Sequence, residues 1–347
     1  MIGVSKANSA RLNRLRPLLA GLLNSEREKL LNSIGQLDVD SALQLITSGL
    51  GDPNALLEQA LHTLLWKLQH LPEDFLWDAP ISQLIDVQQG GVHQLSATGY
   101  SIGPSGIEVQ LNDGLFIGFE ALEKPRPHFY PVNEFLHFST FDSNPLAMQE
   151  THPDKLGNAT DLGGHTAEEW VISLQRALTE IERWLPECWS ELGWFMQRIV
   201  PVGYHPEKHL SASYTESIGL AYVSLHPDTV IMAEAIVHES QHSKLNMLMA
   251  LDPVLHNGRS TWTDSPVRPD LRPLSGVLLA AHAFVPVALM LKRMRATQSS
   301  PTIERRWQQV LDSNEQSLNT LKSLAQPTAI GEKVLSGLYA LDDYVRK

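Results

Sequence analysis

Cysteine is almost missing from this chain, with Cys188 the only one in 347 residues. A lone cysteine cannot close an internal disulfide and excludes every Cys-rich metal pattern, so any metal must sit on histidine and carboxylate. It also fits a reducing cytoplasm. Charge is sparse at 19% of residues, and basic charge is the scarcer sign: 27 Lys and Arg against 39 Asp and Glu give a formal net charge of −12. Nucleic-acid binders concentrate Lys and Arg, so that partner class is set aside. Nowhere does the chain offer the roughly eighteen consecutive apolar residues that span a bilayer. The nearest approach, Gly276 to Leu291, contains His282 and Pro286 and runs into Lys292, Arg293 and Arg295, so it reads as a buried helix. No membrane partner is expected, there is no internal repeat, and the oligomeric state is left open.

What is present is apolar: 43% of residues are hydrophobic, enough for one large domain or two closely joined ones. Residues 1–150 read as a helical N-terminal region with a short β-rich segment, and 151–347 as a mainly helical metal-binding catalytic region. Apolar residues recur at helical spacing from about Ala10 to Trp77, and Met1 to Leu23 reads as an amphipathic helix without a cleavage site. Between about Gln88 and Phe141 the texture is β-rich. Asn112-Asp113-Gly114 is a good hairpin turn between runs 107–111 and 115–119. Pro125 to Gly164 reads as a long ordered connector. Thr166 and Glu169 form a capping box that starts a helix ending before Pro186. Further helices are expected near Ile303 to Ala325 and Gly331 to Val345. The fold class is therefore mainly α with a smaller β portion, an α+β protein with a helical metal-site core.

The segment with the most chemical content is His238-Glu239-Ser240-Gln241-His242. Positions i and i+4 share one helical face, so both imidazoles can reach one metal ion with Glu239 at its edge. Strand-like Gly219 to Leu225 precedes it, Asp228 can cap the helix, and Pro253 ends it, giving a metal helix over about Thr229 to Leu251. Strand 219–225 could also pair with an extended substrate at a sheet edge. The bland alternative is two surface histidines on an ordinary helix.

Two histidines hold a metal poorly, so a third ligand is required. Leu245 and Leu248 stand where a metzincin needs Gly and His, and no Glu occurs between Glu239 and Glu304 to complete a thermolysin-like site. His256, His282, Asp252, Asp264 and Asp270 remain. His282 is favoured because it stands alone in an apolar helical run, with Pro286 four residues on removing the hydrogen bond to its carbonyl and predicting a kink there. An ordinary satisfied core histidine is the competing reading.

Three stretches together, His238-Glu-Ser-Gln-His-Ser-Lys-Leu, Ser265-Pro-Val-Arg-Pro-Asp-Leu-Arg-Pro-Leu-Ser-Gly276 and Ala283-Phe-Val-Pro-Val287, resemble the HExxH-motif peptide-modification family. The chain departs from that family's pattern at Val267, Leu271 and Leu279. The resemblance implies an Fe(II)- and 2-oxoglutarate-dependent oxygenase that β-hydroxylates a side chain of a ribosomally made precursor peptide, without the usual double-stranded β-helix. His238, His242 and His282 would then hold iron on one face, leaving positions for keto acid and oxygen. Arg272 or Arg268, in the proline-stiffened loop, would bind the distal carboxylate of 2-oxoglutarate, with Arg272 favoured. Glu239 has two possible jobs: peripheral contact in the oxygenase, or general base in a zinc metallopeptidase, the alternative function. A structural metal in a peptide-binding protein is the third possibility.

Overall fold

The structure is a computed structural model that describes residues 75–77, 81–86, 91–103, 106–118, 121, 126–142, 160–214, 219–264 and 271–347. The helices read over Ala10 to Trp77 lie outside the described residues except at 75–77, where the chain is a strand. The β-rich segment thus begins earlier than Gln88. Strands β1 (Phe75–Trp77), β2 (Ile81–Asp86), β3 (Gly91–Gly103), β4 (Gly106–Leu111), β5 (Phe116–Gly118) and β6 (Arg126–Pro127) form one sheet built around the long β3. The expected hairpin joins β4 to β5, and Gly114 takes φ +82, a conformation that needs no Cβ.

Where the connector expected over 125–164 overlaps the β-rich stretch read to Phe141, the chain forms strands rather than a loop. β7 (Phe129–Pro131) and β8 (His137–Ser139) form a hairpin, and β8 pairs in parallel with β9 (Met196–Tyr204). Each has three residues, too few for a visible alternation, and prolines interrupt them; burial of Phe129 and Phe138 in the core holds them in place. The second sheet has the order β10-β11-β9-β8-β7, with β10 (Ser211–Ser213) antiparallel to β11 (Gly219–Leu225). β11 is therefore interior and buried at every residue, flanked by β9 and β10. The expectation that 219–225 offers a free edge is overturned: among the described residues the edge on that side is β10.

Helices cover one face of this sheet. α1 (Ala167–Trp184) starts at Thr166, whose hydroxyl accepts from the Glu169 backbone while Glu169 reaches back to the Thr166 N–H. α2 (Pro186–Phe195) follows at once. α3 (Thr229–Leu251) is capped by Asp228, which accepts from the Val230 N–H at 2.9 Å. α4 (Leu274–Arg295), α5 (Pro301–Leu324) and α6 (Ala329–Arg346) complete the set. The main core runs through Trp170, Leu174 and Ile181 of α1, Met232 and Ile236 of α3, Val287 and Met290 of α4, and Trp307 of α5. This matches the expected α+β class, and among the described residues no strand closes a barrel.

α4 is long and apolar enough to cross a membrane, yet 67% of its most apolar window is buried inside the fold. That is the pattern of a core helix. It runs unbroken through Pro286, and Asn314 Nδ2 of α5 donates to the Phe284 carbonyl at 3.2 Å. Past α3, Val254 takes φ +59, unusual for a β-branched residue, and its carbonyl lies so close to Gly331 that a Cβ there would overlap it.

Candidate metal centre

α3 is hydrophobic on average but buries six polar residues: Glu234, Glu239, Ser240, Gln241, Ser243 and Asn246. Burying polar groups costs free energy unless each finds a partner, so such a helix is organised around them. At its middle His238, Glu239 and His242 each offer a ligand atom, and these atoms lie within 4.8 Å of one another. Glu239 Oε2 is 3.4 Å from His242 Nδ1, and Oε1 is 4.0 Å from His238 Nε2. The two rings meet edge to face with centroids 4.2 Å apart, and Phe284 of α4 packs on His238 at 4.5 Å.

Glu239 is 1% exposed and is held from the sheet. Ser211 Oγ donates to Oε1 and Ser213 Oγ donates to Oε2, each at 2.6 Å. Residues 211 and 213 share one face of β10 because side chains alternate along a strand. Burial pushes the Glu239 carboxyl up, but the charge of His242, its hydrogen bond, His238 and Ser211 together hold it down at about 2. Glu239 is an anion over the whole physiological range. Burial, with His242 beside it, holds the His238 ring down at about 3, so it is neutral and has a lone pair to give.

Two nitrogens and a carboxylate, drawn from a helix through a buried polar stripe, form a donor set suited to a transition-metal dication. Buried His238 Nδ1 has no hydrogen-bond partner, a further sign of a group built for something other than packing. The arrangement can hold a metal, keep a permanent anion beside it, and place both against a sheet edge.

The remaining expected residues fall as follows. His282 lies on α4 and is outside the 4.8 Å group. Burial, then Lys244, then His242 push its pKa down to about 3, opposed by a hydrogen bond with the Gln241 backbone. Arg272 sits in β13 (Arg272–Pro273), which pairs with β12 (Trp262–Thr263), two residues ahead of α4. Arg268 and Asp270 lie outside the described residues. Asp252 is committed to the loop after α3, accepting from the Val254 N–H and from Thr328 Oγ1. His256 and Asp264 are exposed.

Sequence reasoning missed Ser211, Ser213 and His209, and the alternation His209-Leu-Ser211-Ala-Ser213 was the available signal. It also missed the cations around the site. Arg306 of α5 forms a two-pronged ion pair with Glu234, one turn before His238, and Lys244 contacts both oxygens of Glu191 at 2.7 Å. Those pairings span many residues and leave no local pattern. No protein-family model matches the chain, and no curated protein matches it significantly.

Proposed function

We propose that this protein is an Fe(II)- and 2-oxoglutarate-dependent oxygenase that hydroxylates a side chain of a peptide, with His238 and His242 as two of the iron ligands. The observation that carries this reading over a zinc peptidase is the double serine clamp on Glu239. A general base works best with a pKa near the operating pH and an oxygen directed at the water it deprotonates. Glu239 instead has each oxygen engaged by a serine hydroxyl at 2.6 Å and a carboxyl held well below the usual range. It acts as a fixed acceptor that orients His242, whose Nδ1 lies 3.4 Å away, the role of a carboxylate around a metal-binding imidazole.

Bound iron would supply oxygen activation driven by oxidative decarboxylation of the keto acid. The chain's own contribution is to bind, orient and enclose. Phe284 packs on the His238 ring, and β10 brings a sheet edge against Glu239 through its two serines. An extended peptide added to that edge would lie along the metal helix. Arg272 is the arginine that the family resemblance implies for the distal carboxylate, and Arg306 and Lys244 pair with Glu234 and Glu191. His282 is the third ligand that the family resemblance implies.

Anaerobic loading with Fe(II), then oxygen with and without 2-oxoglutarate, tests the reading through succinate formation. Keto-acid-dependent succinate and a peptide mass gain of one oxygen are expected. Zinc-dependent cleavage of a peptide without keto acid would overturn it in favour of the peptidase, for which the closeness of Glu239 to both histidines speaks.

A further inference from the structure

We infer that His209, rather than His282, supplies the third nitrogen of the metal site, reaching in from the strand side. This rests on the reading that His238 and His242 hold a metal. His209 lies two residues before Ser211 and four before Ser213, the pair whose hydroxyls touch Glu239. The Ser224 N–H donates to the Leu210 carbonyl and the Leu210 N–H donates to the Ser224 hydroxyl, each at 2.8 Å, so contact with the β11 strand extends back to the residue beside His209. Ser211 and Ser213 face α3 together, and the same alternation carried one step beyond the start of β10 puts position 209 on that face.

The spacing along α3 agrees. Ser213 binds the Glu239 oxygen that faces His242, and Ser211 binds the one that faces His238. Two strand residues advance about 7 Å and four helical residues about 6 Å, so the next inward position falls on the N-terminal side of His238. The His209 ring lies 6.3 Å from that of His226, which precedes the Asp228 cap of α3, and beside His226 its charged neighbours are Glu239, His238 and Arg306, the partner of Glu234.

The ring nitrogens decide between the two candidates. His209 Nε2, the tip of the side chain, is buried without a hydrogen-bond partner, which leaves Nδ1 for the interaction with the Ser224 backbone. A tip nitrogen free to ligate, with the base nitrogen on a carbonyl, is the usual state of a metal-binding histidine. His282 is the reverse: Nδ1 is the nitrogen without a partner, and the tip is turned to the Gln241 backbone. The first charged neighbour of His282 is Lys244, which opposes a dication; that of His209 is the His226 imidazole, with the Glu239 anion next. Neither ring belongs to the 4.8 Å group, so either must turn to ligate, and only His209 has its tip nitrogen available.

Co(II) titration of the metal-free full chain tests this, with chelator competition for affinity and the visible spectrum for coordination. His209→Asn is expected to weaken Co(II) binding by about 100-fold or more, and His282→Asn by less than about 3-fold. His209→Cys is expected to restore binding and to add an intense thiolate-to-cobalt charge-transfer band. Cys188 cannot supply that band, because it is buried with its thiol pushed up to about 12. Full affinity in His209→Asn overturns the proposal, whether or not His282→Asn loses it. A folded His209→Cys protein that binds Co(II) without the band overturns it too. If wild type binds no Co(II), the metal reading itself falls and takes this inference with it. Loss in His209→Asn beside a normal wild type is the result that supports both.

Discussion

Removing both hydroxyls from the strand beside the metal helix should be among the most damaging conservative changes in this protein. A hydrogen bond to a charged acceptor contributes about 1.5–3 kcal/mol, and Glu239 receives two, at 2.6 Å each, while only 1% exposed. Ser211→Ala and Ser213→Ala should each cost about 2 kcal/mol, and the double variant about 4 kcal/mol. Against a typical total of 5–15 kcal/mol, that is a large share. With a urea slope of about 3 kcal/mol per molar, the midpoint falls by more than about 1 M. The decisive control repeats the serine changes in Glu239→Ala. With no carboxylate to satisfy, the same double change should cost less than about 1 kcal/mol, leaving a coupling energy of about 3 kcal/mol. Urea unfolding of the four proteins, followed by circular dichroism, measures it. A coupling below about 0.5 kcal/mol would refute the clamp, and with it the argument that Glu239 is a fixed acceptor.

His238→Ala or His242→Ala should abolish tight Co(II) binding in equilibrium dialysis while leaving the helical signal intact. Gly331→Ala should destabilise by at least about 2 kcal/mol in urea, because its Cβ would overlap the Val254 carbonyl. Thr166→Ala should cost about 1 kcal/mol by the same assay, through loss of the capping box. The metal-free protein should lose stability on mild acidification. His137 and His209 are held at about 4, and His238 and His282 at about 3, all below the ordinary 6.5 and all first through burial. Since the unfolded chain binds those protons first, this stability is fully present above pH 6.5. It is lost as pH falls toward 4, with a slope of up to about 1.4 kcal/mol per pH unit for each histidine. A urea midpoint unchanged between pH 7 and pH 5 would contradict it.

Local signals were legible in the sequence. Asp228, Thr166, Pro186 and Pro253 fixed helix ends because capping and proline geometry act within a few residues. The histidine pair was legible for the same reason, since i and i+4 spacing is a property of one helix. The surroundings of the pair were not. Glu234 meets Arg306 across 72 residues, and Glu239 meets Ser211 across 28, contacts set by how α3, α5 and β10 pack. β10 itself is three residues of Ser and Ala, with no apolar alternation to announce it. The placement of 219–225 at an edge failed because the alternation of Ser and Ala in so short a partner strand is too weak to announce it.

The Ser211-Ala212-Ser213 strand makes the site sensitive to parity. Its period is two, so slipping the strand by one residue would turn Ala212 toward Glu239 and both hydroxyls away. Glu239 would then have no strand donor at all, with no half-satisfied state between. A loop insertion between Tyr204 and Leu210 that shifts the strand by an odd number of residues takes the carboxylate from two strand hydroxyls to none. An even shift replaces one inward pair by another. The loop's length, rather than its composition, is the variable to which this site is most exposed.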